Sequence, residues 1–231
     1  MDDEGSSLFV KVCGITSESD GLLAVALGYD AVGFVFAPSP RQISPQLAGD
    51  IVKRLPPEII TVGVFRDESP SRVAEIVNRY GLSAAQLHGQ ESTKDCQWIA
   101  ERVKLCIKAF PVGHPGISNF SSYGASLVMI DSPSPGSGKV FDWQLAIGAV
   151  DPRKMIISGG LNVSNVADAI ETLTPFGVDV SSGVEAREGE KDPTKLKQFI
   201  TQARAAAAAL SKRKTDSSSS ATALYDWEEE Q

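Results

Sequence analysis

The feature that most constrains the fold is an alternation that repeats about eight times along the 231 residues. Each unit pairs a short apolar run with a stretch of helical spacing. The expected strands are Val10–Cys13, Ala31–Phe36, Ile59–Phe65, Ala84–His88, Lys104–Phe110, Ser126–Asp131, Lys154–Ser158 and Gly177–Ser181. Runs such as AVGFVF and IITVGVF are apolar on both faces, which suits strands of a parallel sheet. The intervening helices are expected after Thr16 or Ser17 as cap, then over 45–55, 70–80, 91–102, 141–149, 163–173 and 192–210. Residues 111–125 hold Gly, Pro and Ser and predict at most a short, poor helix. Such an alternation in a chain of this length predicts a single-domain α/β (β/α)8 TIM barrel over residues 8–210. The competing fold, an open doubly wound sheet, lacks its GxGxxG fingerprint after the first strand. Residues 1–7 read as a flexible N-terminus. Residues 211–231 are polar and low in complexity, and are expected to be a disordered tail.

Net charge is −7, which argues against nucleic acid as a partner, since phosphate contacts need clustered Lys and Arg. It leaves open a small anionic ligand, which responds to local N–H groups and charges. No apolar run approaches a membrane span, so no membrane partner is expected. Cys13, Cys96 and Cys106 lack CxxC spacing and read as reduced thiols. A cytoplasmic location follows as an expectation, with a lost organellar transit peptide as the exception. The only histidines are His88 and His114, so a His-rich metal site is not expected.

In a (β/α)8 barrel the active site lies at the C-terminal ends of the strands, so those ends can be read as a ring. The first strand supplies Lys11 and Cys13, which alternate with Val10 and Val12 and share a face. An ammonium beside a thiol would favour thiolate; an inert core Cys with a snorkelling Lys is the plainer alternative. The loop after the second strand carries Arg41, whose planar fork suits a carboxylate. The fourth strand ends in His88, and the sixth in Asp131, where partial burial suits an acid. Asp179 lies in the eighth strand and should face the barrel or its mouth. Two glycine-containing turns, Ser158–Gly160 and Ser181–Gly183, follow strands seven and eight. Each is expected to precede a helix, and together they predict a phosphate grip. Gly138-Lys139 does not complete a nucleotide-binding loop; a mobile lid carrying Lys139 is the better reading.

These pieces, KVCGIT, the SPR of 39–41, VGVF at 62–65, QLHG at 86–89, ID at 130–131 with GSGKVFDW after it, SGGL at 158–161 and GVDVSSGVE at 177–185, occur in one order. With them the chain resembles the phosphoribosylanthranilate isomerase family of tryptophan biosynthesis, from about Val10 to Ile200. The sixth loop reads PGSGK where that family usually has GGTGK-like wording. The resemblance implies a general base at Cys13 and a general acid at Asp131. It implies that Arg41 holds the anthranilate carboxylate, and that Gly159, Gly160, Ser182 and Gly183 grip the phosphate. His88, Asp179 and Lys11 are expected around the substrate. The implied reaction is an Amadori rearrangement, an aldose-to-ketose isomerisation that needs neither cofactor nor metal. The small phosphorylated substrate is the main expected partner. A monomer or homodimer is expected, with association with other tryptophan-pathway enzymes as a further expectation. Two other readings stay open here: another phosphosugar isomerase or synthase on the same barrel, and a catalytically silent phosphate-binding protein.

Overall fold

The computed structural model describes residues 8–133 and 142–222. Eight parallel strands close into a barrel in chain order, β1 pairing with β2 on one side and β8 on the other. They are β1 (Phe9–Cys13), β2 (Ala31–Val35), β3 (Ile60–Phe65), β4 (Ala84–Leu87), β5 (Leu105–Pro111), β6 (Leu127–Asp131), β7 (Met155–Ile157) and β8 (Gly177–Val180). The helices are α1 (Glu18–Leu27), α2 (Pro45–Val52), α3 (Pro70–Arg79), α4 (Thr93–Ala100), α5 (Val166–Leu173) and α6 (Pro193–Thr222). A small antiparallel hairpin, β9 (Glu185–Arg187) and β10 (Glu190–Lys191), lies between β8 and α6.

The core divides into two because strand side chains alternate. Val10, Val12, Val32, Val128, Ile130 and Val178 join the layer between sheet and helices. Phe9, Ala31, Val62, Ala84, Ile107, Met129 and Ile156 form a second cluster inside the barrel. Counting in twos toward the C-terminal ends leads from Phe9 to Lys11 and Cys13, from Ala84 to Gln86 and His88, from Met129 to Asp131, and from Ile156 to Ser158. The same alternation that packs the barrel floor therefore delivers these polar residues to its mouth.

Local chemistry sets the element ends. Ser17, Ser44 and Ser92 each accept a backbone N–H at the start of α1, α2 and α4. Thr16, the other expected cap, instead donates its hydroxyl to Gly189 O at 2.6 Å, pinning the hairpin to the β1 loop. The helix expected over 163–173 begins at Val166, because Asn162 N–H donates to the Asn165 side chain and holds a turn there. The helix expected over 141–149 is only a 3₁₀ turn, Trp143–Ala146, and Phe141 lies outside the described residues. The expected poor helix in 111–125 is likewise a 3₁₀ turn, Phe120–Tyr123. α6 does not stop at Leu210 but continues to Thr222; alanines at 205–209, the best helix formers, carry it past the buried Leu196, Phe199, Ile200 and Ala203. Residues 223–231 lie outside the described residues, as do 1–7. No helix among the described residues is long and apolar enough to cross a membrane.

Candidate active site

A pocket of about 210 Å³ opens at the C-terminal ends of the strands. Cys13, Arg41, His88, Asp131, Asp179 and Ser182 all line it, together with Ser158, Gly159, Gly160 and Ser181. Val35, Pro38, Val64 and Phe65 form an apolar wall. Eight of the residues singled out in the sequence thus lie around one cavity: Cys13, Arg41, His88, Asp131, Gly159, Gly160, Asp179 and Ser182. The lid reading for Lys139 falls outside the described residues.

Lys11 is not placed around the substrate pocket as expected. It does not line the pocket but lies beneath it, fully buried, with Nζ 2.9 Å from Asp179 Oδ1. Gly33 makes room for it: a Cβ there would come within 3.0 Å of Cys13 Sγ and 3.1 Å of Lys11 Nζ. Burial works against the Lys11 proton, but Asp179 and Cys13 outweigh it and raise its affinity. Burial also pushes Asp179 up, against the pull of Lys11.

At Cys13 the two alternatives, a thiol drawn toward thiolate by the ammonium and an inert core thiol, turn on whether the ammonium or burial acts more strongly. Lys11 does act toward thiolate, but burial is the larger effect and pushes the Cys13 thiol up. Asp179 pushes it the same way, while Lys191 joins Lys11 in pulling it down.

Asp131 ends β6 with Oδ1 accepting the Ser132 N–H at 2.6 Å. Its Oδ2 lies 2.9 Å from His88 Nε2, a short electrostatic contact without hydrogen-bond alignment. On its other side the His88 ring meets Gln86, whose Nε2 lies 3.0 Å from His88 Nδ1.

Arg41 reaches the pocket with part of its fork already engaged. Nε and Nη2 each donate to Glu185 at 2.8 Å, a bidentate pair. Glu185 sits on the β9–β10 hairpin and also accepts from Lys191 Nζ at 2.9 Å. Neither residue was anticipated. The available signal was a Gly189 turn flanked by Glu185, Arg187, Glu188, Glu190 and Lys191, which reads equally as a solvated loop.

The two turns divide in role. Gly159 and Gly160 take left-handed conformations, φ +83 and +73, and face the pocket with Leu161. Ser181 and Ser182 face it from the β8 side, whereas Gly183 does not line the pocket but pairs with Asn162. The turn after β8 leads into the hairpin rather than directly into a helix, and α5 begins at Val166, beyond Asn165. This part of the pocket is therefore lined by turn backbone and by Ser181 and Ser182 rather than by two helix ends. Among the described residues no cluster of three or more His, Cys, Asp or Glu is placed to hold a metal ion.

A family model for N-(5′-phosphoribosyl)anthranilate (PRA) isomerase matches residues 10–202. The N-(5′-phosphoribosyl)anthranilate isomerase of Desulforudis audaxviator is 46% identical over 204 residues, 85% of this chain and 98% of the relative. A crystal structure of a phosphoribosyl anthranilate isomerase in complex with reduced 1-(o-carboxyphenylamino)-1-deoxyribulose 5-phosphate superposes with TM-score 0.77 at 41% identity, covering 86% of this chain and 99% of that one. A crystal structure of generated monomers of the dimeric Thermotoga maritima phosphoribosylanthranilate isomerase gives TM-score 0.76 at 40% identity, covering 86% of this chain and 99% of that one.

Proposed function

The chain belongs to the N-(5′-phosphoribosyl)anthranilate isomerase family, and from that premise we propose how its pocket divides the work of the isomerisation. The reaction is the Amadori rearrangement of N-(5-phosphoribosyl)anthranilate to 1-(2-carboxyphenylamino)-1-deoxyribulose 5-phosphate, a step of tryptophan biosynthesis. Asp131 is the general acid. It protonates the ribose ring oxygen, the C1′–O bond breaks, and the nitrogen lone pair forms the iminium. The iminium acidifies the C2′ proton. Cys13 thiolate removes that proton, and the resulting enolamine tautomerises to the ketone. The observation that carries this assignment is that Cys13 and Asp131 open on one cavity from β1 and β6.

A raised thiol costs thiolate population near neutrality but makes the thiolate present a stronger base. Arg41, beside the apolar wall of Val35, Pro38, Val64 and Phe65, takes the anthranilate carboxylate while the wall takes the ring. The turns at Gly159–Gly160 and Ser181–Ser182 hold the phosphate, with Gly183 fixing the second turn in place. Asp179, braced by Lys11, positions the substrate amine or a ribose hydroxyl. His88 steadies Asp131.

Free, buried cysteines support a cytoplasmic location. The phosphorylated substrate is the partner; the assembly is a monomer or homodimer, the dimeric relative supporting the second. Association with other enzymes of the pathway is testable by co-sedimentation. The decisive assay is loss of anthranilate fluorescence on mixing N-(5-phosphoribosyl)anthranilate with the protein, run beside Cys13→Ala. No turnover by the unmodified chain would overturn the reading.

A further inference from the structure

The β9–β10 hairpin carries two buried ions that the acid–base chemistry does not itself use. Lys191 is 3% exposed and Glu185 7%. Lys191 Nζ donates to Cys13 O at 2.7 Å, to Ser181 O at 3.3 Å and to Glu185 Oε1 at 2.9 Å. Through Glu185 the same cluster grips Arg41. One ammonium thus ties together the end of β1, the end of β8 and the carboxylate that orients the arginine. Charges held this far from water are costly, and a single apolar pair of similar volume would close the hairpin as well.

We propose that Glu185 and Lys191 are positioning residues for the isomerisation: Glu185 turns the Arg41 fork so that its remaining edge serves the substrate carboxylate, and Lys191 fixes the Cys13 end of β1 and supplies the positive charge that stabilises the thiolate. The proposal rests on Cys13 and Arg41 having the roles given above.

The guanidinium carries five N–H groups. Glu185 occupies Nε and one N–H of Nη2. Both N–H groups of Nη1 and the second of Nη2 are left, which is a second bidentate edge for a carboxylate. The charges around the thiol come from every side. Lys11 on β1 is matched by Asp179 on β8. Arg41, on the loop after β2, and Lys191 on β10 share the one carboxylate of Glu185. Among these buried groups one positive charge is left over beside Cys13, the complement that a buried thiolate needs. Glu188, exposed at the hairpin tip, acts on Arg41 from the solvent side.

The test uses the full chain with Lys191→Met, Lys191→Arg and Glu185→Gln. Iodoacetamide labelling of Cys13 is followed against pH by peptide mass, beside kcat and KM. Labelling reads the thiol whether or not Cys13 is the base, so failure of the catalytic assignment shows separately, as an active Cys13→Ala. Lys191→Met should move the labelling midpoint to higher pH and lower kcat, and Lys191→Arg should restore both. Glu185→Gln adds net positive charge and should move the midpoint to lower pH, while raising KM about 10-fold or more. A role limited to holding the hairpin would not move the midpoint in opposite directions. If Lys191→Met does not fold, Glu185→Gln and Lys191→Arg decide alone. A midpoint and KM unchanged in Glu185→Gln overturn the proposal.

Discussion

Lys11 Nζ and Asp179 Oδ1 lie 2.9 Å apart, the ammonium sealed from solvent and the carboxylate opening on the pocket. Removing one ion of such a pair leaves the other buried and unpaired, at a cost on the order of 3 kcal/mol. Lys11→Met should therefore lower the urea midpoint clearly. The Lys11→Met, Asp179→Leu double variant should regain most of that loss, because no charge is stranded. Additive losses would mean that the two residues contribute independently.

Cys13→Ala and Asp131→Asn should each lower kcat by about 100-fold or more, the lower end of what a general acid or base contributes. Circular dichroism should show both folded. Asp131→Asn preserves the shape at the Ser132 N–H contact, so lost packing does not account for its effect. Near-normal turnover in either variant removes that residue's role.

The pH dependence follows from the thiol. Burial raises Cys13, and the base works only unprotonated, so activity is lost as pH falls through the raised value and gained as pH rises. The profile of kcat/KM for the free enzyme should keep climbing past about 8.5, the ordinary thiol value. A profile already level by pH 7.5 would contradict a buried thiol as base.

Gly159→Ala is expected to damage both halves of the chemistry. A Cβ there would lie 2.4 Å from Ser132 N and 2.6 Å from Asp131 Oδ1, on a residue with φ +83. Neither backbone nor carboxylate can yield without moving the acid. KM should rise through the phosphate turn and kcat should fall through Asp131; a change in KM alone would separate the turn from the acid.

Arg41→Ala should act mainly on KM if Arg41 grips ground and transition states alike. It also strands part of the Glu185 carboxylate, so the thermal midpoint should drop. Lowered kcat with unchanged KM would place Arg41 in the chemistry instead.

Much of the fold was legible because a parallel barrel writes itself as apolar runs between helical segments, and because alternation carries Met129 to Asp131 and Phe9 to Cys13. Depth was not legible. Spacing put Lys11 and Cys13 on one face, but whether an ammonium or burial governs the thiol depends on distance from water, which is a tertiary quantity. Glu185 and Lys191 were hidden for the related reason that charges near a Gly turn look solvated until a hairpin folds over the mouth. Gly183 was assigned to the grip by its motif, yet whether a glycine N–H faces a cavity or a neighbouring strand is decided by the loop opposite it.

The closure of β1 against β8 has a consequence for synthesis. The sulfur leaves the ribosome early, but the ammonium that touches its carbonyl is 178 positions later, and the carboxylate under it 168 positions after its lysine. A nascent or prematurely terminated polypeptide holds the thiol without its ionic surroundings. On the roles proposed above, turnover should begin only once translation has passed Lys191 and the hairpin has closed over the mouth.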